Sequence, residues 1–177
     1  MHTTRTSRLL LGLAMLSCAL PAVAQNASGT LNATLINKSA IGILFNTDPA
    51  GVTLGGSGTP AATLNFGTVS KYMTTPPSGV TLTRTAANFT ISSIFDAYVF
   101  VGGVTSPSYR LQARLASAPG ALTYKVDAVT LSTVNTTVVA ADPGYSTNVP
   151  HTLFLTIPNA VPAGPLSNTV SFTVTAN

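Results

Sequence analysis

The side chains that could carry catalysis are few in this sequence. Residues 25–177 contain one histidine, His151, and neither cysteine nor glutamate. This inventory excludes Cys/His nucleophile pairs, His-rich zinc sites and two-glutamate glycosidase sites. A Ser-His-Asp triad would have to combine His151 with Asp127 or Asp142, but the sequence has no GxSxG elbow. We therefore expect a non-enzymatic protein in which His151, near the start of a predicted strand, is structural or solvated.

The acidic residues do not form a metal-binding pattern. Asp48, Asp96, Asp127 and Asp142 each stand alone in the sequence, whereas Ca²⁺ takes six to eight oxygen ligands, usually from clustered carboxylates. Asp48 and Asp142 each precede a proline, which is typical of a turn residue whose carboxylate accepts a nearby backbone N–H. We predict no metal and no cofactor.

The first residues predict export. Two arginines precede an apolar run at residues 9–16, and the small residues Ala22 and Ala24 favour cleavage before Gln25. This order is typical of a secretory signal peptide, so we expect residues 1–24 to be removed. The protein would then be secreted, passing through the periplasm to the cell surface or the medium. No later stretch approaches the roughly 20 apolar residues of a transmembrane helix.

The remaining chain, residues 25–177, is sparsely charged and long enough for one domain with one core. Its charges are scattered singly and leave a formal balance of +2, so no basic patch predicts nucleic-acid binding. Without cysteine it forms no disulfide, and packing and strand pairing must stabilise it. The basic residues are Lys38, Lys71, Arg84, Arg110, Arg114 and Lys125.

The patterning predicts an all-β domain, a single antiparallel β-sandwich. Helical periodicity is nearly absent, β-branched residues dominate, and Gly- and Pro-containing turn signals recur at the spacing of a sandwich or barrel. Strands are predicted near Thr30–Ile36, Ile41–Asn46, Thr63–Phe66, Val80–Arg84, Asn88–Ser92, Tyr98–Val101, Arg110–Ala116, Leu122–Leu131, Thr136–Ala140, Thr152–Ile157 and Thr169–Ala176.

Strict alternation is clearest at the two ends of this domain. A period of two indicates a strand with one face in a core. A terminal strand that is not paired on both sides leaves open backbone groups that a neighbour can pair with. The apolar faces are Leu31, Ala33 and Leu35 in the first strand, and Val170, Phe172, Val174 and Ala176 in the last.

Two segments resemble a known superfamily. "ATLNFGTVS", with Phe66 and Gly67, and "VPAGPLSNTVSFTVTAN", with Ala163 and Gly164, resemble segments of chaperone–usher pilins and spore-coat-protein-U-like proteins. Leu166 stands where tyrosine is usual in that superfamily. The early cysteine and its disulfide partner are missing.

The resemblance implies an immunoglobulin-like sandwich that lacks one strand, completed by an extended segment from a neighbouring subunit. Residues 28–36 would be the donor strand, giving a structural or adhesive, fimbrium-like polymer. The implied partners are further copies of the chain, or a periplasmic chaperone and usher. Leu31, Ala33 and Leu35 of one subunit would then dock beside Val170, Phe172 and Val174 of the next.

Two alternatives to this polymer stay open from sequence. The segment "GTLNATLIN" is equally compatible with an intrinsic first strand that pairs with the last strand of its own chain. The protein would then be a self-contained secreted module that binds a carbohydrate or protein, with Tyr72 and Tyr145 in loops where rings could contact a sugar. A small outer-membrane β-barrel fits the length, but the chain has no tryptophan and many predicted strands are too short to cross a bilayer.

Overall fold

The computed structural model describes residues 25–34, 40–103 and 105–177. The predicted signal peptide, Leu35 and the end of the candidate donor segment lie outside the described residues. Within the described ranges the chain is all-β and contains no helix, so no helix there is long and apolar enough to cross a membrane. The strands are β1 Gln25–Thr34, β2 Ala40–Asn46, β3 Ala61–Val69, β4 Thr81–Arg84, β5 Asn88–Gly102, β6 Tyr109–Leu115, β7 Thr123–Val126, β8 Val129–Thr130, β9 Thr136–Asp142, β10 Asn148–Pro158 and β11 Pro165–Ala176.

The strands form two sheets that are not closed into a barrel. The first sheet has the order β3-β1-β11-β6-β9, and the second has the order β2-β5-β10-β7-β8 with β4 also paired to β5. Strand β5 is long enough to pair with β4 near its start and β2 near its end, while β10 runs along its other side. The first and last strands of the described chain are therefore neighbours in the first sheet.

One strand pair departs from the predicted antiparallel arrangement. Strands β1 and β11 run parallel, whereas the other ladders between the described strands are antiparallel. A short hairpin turn imposes antiparallel pairing on the strands that it joins. No hairpin joins β1 to β11, and the chain passes from β1 to β2 in the second sheet. The prediction of a wholly antiparallel fold is wrong for this pair.

Three phenylalanines join the two sheets at the centre of the core. The ring of Phe172 on β11 lies 5.2 Å from that of Phe45 on β2 and 5.9 Å from that of Phe95 on β5, measured between centroids. The Phe45 and Phe95 rings are 6.0 Å apart, and all three side chains are fully buried. Tilted and edge-on contacts at these distances are the favoured geometry of aromatic pairs. The sheets therefore pack face to face, in a sandwich-like arrangement.

Two predicted boundaries change in the structure. The segments predicted at residues 88–92 and 98–101 belong to one continuous strand, β5, because its backbone is paired on both sides across the polar residue Asp96. Conversely, the strand predicted at residues 122–131 is divided into β7 and β8 by a turn at Asp127, whose φ is 53°. A left-handed φ interrupts a strand, and aspartate tolerates it better than most residues do.

Truncating the central ring tests this core. We expect Phe172→Ala to lower the free energy of unfolding by about 3–5 kcal/mol, since it removes buried apolar atoms and leaves a cavity between the sheets. Phe100→Ala is the control, because Phe100 is 40% exposed, and it should cost much less. Urea denaturation of both variants measures the difference. Equal losses in the two variants would contradict a core centred on Phe172.

Candidate functional site

The position between β3 and β11 in the first sheet, here called the β1 slot, is the strongest candidate for an interaction site. Strand β1 fills it and pairs with both walls. Its parallel register with β11 runs from Asn26 opposite Pro165 to Thr34 opposite Thr173. Its antiparallel register with β3 runs from Gln25 opposite Val69 to Asn32 opposite Ala61, with one irregularity near Ser28. The slot can therefore hold an extended segment through backbone hydrogen bonds on both sides.

The inner face of the slot continues the apolar core across four strands. Leu31 lies between Ala62 on β3 and Val170 on β11, and Val170 in turn faces Leu115 on β6. All four side chains are buried, with Leu31 fully buried. Complete burial of a leucine stabilises a fold by roughly 1.5–3 kcal/mol. Leu31 is thus the principal described side-chain anchor of β1.

Two residues before this anchor, β1 carries a glycine toward the core. A Cβ on Gly29 would lie 3.4 Å from Leu153 Cδ2 on β10 of the second sheet. A Cβ at that distance makes van der Waals contact, so a side chain larger than alanine would have to displace Leu153. The second sheet thereby limits the width of a segment that the slot accepts at this point.

The predicted interface residues are only partly brought together. Val170, Phe172 and Val174 are buried on the inner face of β11, and Ala33 is the backbone partner of Phe172. Val174 instead pairs with Leu111 on β6 and has no partner on the described part of β1. Leu35, the third residue of the predicted apolar face, lies outside the described residues.

The opposite wall of the slot was missed as an interface. Ala62, Leu64 and Phe66 on β3 are buried, and Ala62 and Leu64 face Leu31 and Gly29 of β1. These residues belong to "ATLNFGTVS", in which the sequence predicts a strand at Thr63–Phe66 and a family resemblance, but no interface. Their alternation with exposed neighbours could have shown that the strand predicted here, like β1 and β11, has one face in the core.

The open edge expected of the terminal strand is closed in the structure. Strand β11 is paired on one side by β1 and on the other by β6. The last residue is held as well, because Asn177 N–H donates to the Ser108 carbonyl at 3.0 Å and the Asn177 carbonyl accepts from Ser106 Oγ at 2.7 Å. In the described part of this sheet the edge strands are β3 and β9 instead, and Gly55 pairs with Thr63 on the outer side of β3.

His151 is paired with Asp127 but lies in the core. His151 Nδ1 donates to Asp127 Oδ2 at 2.8 Å, and Thr152 N–H donates to Asp127 Oδ1 at 2.8 Å. Burial pushes the pKa of Asp127 upward, but these two hydrogen bonds and the electrostatic effect of His151 outweigh it, so the pKa lies below its ordinary value. His151 is only 3% exposed and its ring lies 5.9 Å from that of Phe95. This burial contradicts the alternative of a solvated histidine, and the pairing with Asp127 is what a structural histidine would make.

A second acidic residue is buried nearby on β5. Asp96 is 5% exposed. Burial raises the pKa of its carboxyl above the ordinary value, and the adjacent Asp48 carboxylate raises it further, while His151 acts in the opposite direction. Asp48 itself accepts the N–H of Ala50 at 2.6 Å, and Asp142 accepts the N–H of Gly144 at 2.6 Å, which confirms both as turn residues.

These polar groups do not converge on a reactive centre. His151 Nε2 is buried and has no hydrogen-bond partner among the described residues. Within the described part of the chain, no three His, Cys, Asp or Glu side chains lie together in a way that could hold a metal ion. The arrangement suits the binding of an extended strand in the β1 slot better than covalent chemistry at His151.

Comparison with known proteins identifies no family for this chain. No protein-family model matches the chain, and no curated protein matches it significantly. The geometry of the β1 slot and the placement of the charges therefore carry the functional inference.

The buried carboxyl of Asp96 predicts an effect of pH on stability. Because its folded-state pKa is raised, the folded state keeps a proton that the unfolded chain releases as the pH rises above about 4. Stability from this group is thus complete at low pH and falls as the pH rises through the folded pKa. We expect Asp96→Asn to raise the melting temperature at pH 7 and to change it little at pH 3.

Asp127→Asn is the matched control, since its pKa is shifted in the opposite direction. The ionised Asp127 stabilises the fold above the ordinary pKa, and this contribution is lost as the pH falls through the lowered value. Asp127→Asn should therefore lower the melting temperature at pH 7 and have a smaller effect in acid. Shifts of the same sign in both variants at pH 7 would contradict the two assignments.

Proposed function

We propose that this protein is an exported, non-catalytic structural or adhesive subunit of the cell surface, pilin-like and immunoglobulin-like in fold, that assembles by exchange of β1 between copies. One observation supports this above the others. Strand β1 completes the first sheet from the inside, between β3 and β11, yet no hairpin ties it to either of them. A segment held in this way can be replaced by the same segment of another copy without changing any contact.

The contacts of β1 are suited to exchange. The described contacts are backbone pairing along both sides, with Leu31 as the fully buried anchor and Gly29 as a narrow point beside Leu153. Backbone pairing supplies affinity for an added strand, and alternate side chains set its register. A copy that receives β1 from one neighbour and gives its own to another makes a head-to-tail contact, which does not close and grows into a fibre.

Export and assembly follow from the same proposal. A subunit whose β1 has not yet been placed would present two unpaired backbone edges, on β3 and β11, and such edges invite aggregation. A periplasmic chaperone and an usher that cover the slot until assembly are the partners this proposal requires. The predicted signal peptide supports a route through the periplasm to the cell surface or the medium.

A second candidate is a self-contained secreted sandwich that binds a carbohydrate or a protein. The observation that favours it is that β1 occupies the slot of its own chain and pairs along its described length. Such a chain needs no neighbour to complete its sheet. The two candidates differ in which chain supplies β1, so a cross-link between β1 and β11 separates them.

Asn32 and Ser171 are partners in the β1–β11 register on the solvent side of the sheet. The mature chain has no cysteine, and neighbouring strands lie about 4.8 Å apart, within the span of a disulfide. We expect Asn32→Cys together with Ser171→Cys, oxidised in the exported protein, to give a covalent ladder on a non-reducing gel. Disulfide-linked dimers should also form when the two single variants are co-expressed.

The control for this cross-link keeps Asn32→Cys and moves the second cysteine to Thr175, four residues further along the same face of β11. That distance is about 13 Å along the strand, so no disulfide should form in the same register. Monomers with an internal disulfide, and no dimers from the co-expressed single variants, would contradict exchange and favour the self-contained module.

A charge at the anchor gives an independent test. We expect Leu31→Asp to abolish assemblies that resist mild detergent but dissociate on boiling, because a carboxylate in the core costs several kcal/mol. Asn32→Asp, on the half-buried outer face of the same strand, is the control and should still assemble. Circular dichroism of the Leu31→Asp protein shows whether a loss of assembly comes from a loss of folding. A folded, soluble subunit supports exchange, whereas an unfolded chain supports an intrinsic first strand.

A further inference from the structure

A cleft of about 290 Å³ opens where three connections meet at one end of the molecule, and it is here called the Tyr72 cleft. One connection follows β3, one joins β4 to β5, and one follows β10. Its size is at the lower end of the range of small-molecule sites. The cleft is lined by Lys71, Tyr72, Arg84, Thr85, Asn88 and Asn159.

Hydrogen bonds hold these three connections together. The Arg84 guanidinium donates from Nε to the Lys71 carbonyl at 2.7 Å and from Nη2 to the Met73 carbonyl, so it fixes the connection after β3. Asn159 donates from its backbone N–H to the Ala87 carbonyl at 2.9 Å and from Nδ2 to the Ala86 carbonyl at 3.0 Å. The walls of the cleft are thereby positioned before any ligand binds.

The charges in the cleft have one sign. Lys71 and Arg84 both line it, and none of its lining residues is acidic. The two bonds to the Lys71 and Met73 carbonyls leave three of the five guanidinium N–H groups of Arg84 without a partner in the described part of the chain. Two cations facing one cleft without a counter-charge favour an anion, and a guanidinium matches a carboxylate in geometry.

The uncharged lining adds a second kind of recognition. Tyr72 is 67% exposed, and Lys71 Nζ lies 5.0 Å from the centroid of its ring. An exposed ring that is not part of the core offers an apolar face beside the positive charges. The Asn88 amide makes no side-chain hydrogen bond within the described residues, so it is free both to donate and to accept, as recognition of a hydroxyl group requires.

We propose that the Tyr72 cleft binds a carboxylated sugar ring, such as a hexuronic acid unit of an acidic polysaccharide. The carboxylate pairs with Arg84 and Lys71, the ring packs on Tyr72, and the hydroxyl groups bond to the Asn88 amide. The volume of the cleft suits one ring. This site does not depend on strand exchange, because none of its lining residues belongs to β1 or β11.

The test compares methyl β-glucuronide with methyl β-glucoside, which differ only in the carboxylate. Each is titrated into the isotope-labelled exported protein while amide resonances are followed by NMR. We expect the glucuronide to shift the amides of residues 71–73, 84–88 and 159, and the glucoside to bind roughly tenfold more weakly, since charged hydrogen bonds contribute more than neutral ones. Added salt should weaken the binding of the glucuronide.

Three variants and one simple anion complete the test. Lys71→Gln and Tyr72→Ala should each weaken glucuronide binding, whereas Lys125→Gln, a lysine on β7 outside the cleft, should leave it unchanged. Arg84 is not replaced, because its guanidinium also holds the connection after β3. Shifts confined to other residues, or equal binding of glucuronide and glucoside, would overturn the proposal. Acetate binding as tightly as glucuronide would show an anion site without sugar recognition and would also overturn it.

Discussion

The first sheet depends on backbone pairing at one position, the slot between β3 and β11. With β1 in place, four adjacent strands share a continuous row of buried side chains through Leu31. Without a strand there, β3 would separate from the rest of the sheet, and two rows of N–H and C=O groups would lose their partners. Buried backbone groups must be paired. The integrity of the sheet therefore requires some strand in the slot, but the requirement does not specify whose strand it is.

In the proposed exchange, β1 pairs with β3 and β11 in the same way within a chain and between chains, so other factors decide which chain supplies the strand. An intramolecular strand benefits from the high effective concentration that its connection imposes. Against this, β1 must leave the first sheet and reach β2 in the second, across residues 35–39. Parallel pairing is slightly weaker per residue than antiparallel pairing, so the β1–β11 ladder is not the strongest that the sheet could make. Under this proposal, these two factors determine how readily β1 passes from one chain to the next.

The sequence predicts the faces of the strands well because alternation reports burial on one side. The alternating residues of β11 and the anchor Leu31 lie in the core as expected. The sequence does not predict which strands pair or in which direction they run, since both arise from contacts between distant segments. Nothing local to β1 or β11 indicates that the two run parallel. The sequence also does not predict that β5 continues through Asp96, because a polar residue inside an apolar segment favours a break between two strands. In the structure, neighbouring strands pair the backbone of β5 on both sides, so the strand continues through Asp96.

For the same reason, the sequence predicts one of the two candidate surfaces, the β1 slot and the Tyr72 cleft, better than the other. The inner face of the slot follows a periodic pattern, whereas the Tyr72 cleft is assembled from three connections with no shared period. Its cations, Lys71 and Arg84, are separated in the sequence and meet only because the guanidinium of Arg84 bonds to the connection after β3. In a chain with so few charges, two cations brought together without a carboxylate between them keep their full attraction for an outside anion. Because the cleft has no residue from β1 or β11, it is available to a ligand whichever chain fills the slot. The proposed assembly and the proposed ligand recognition therefore depend on different residues of the fold.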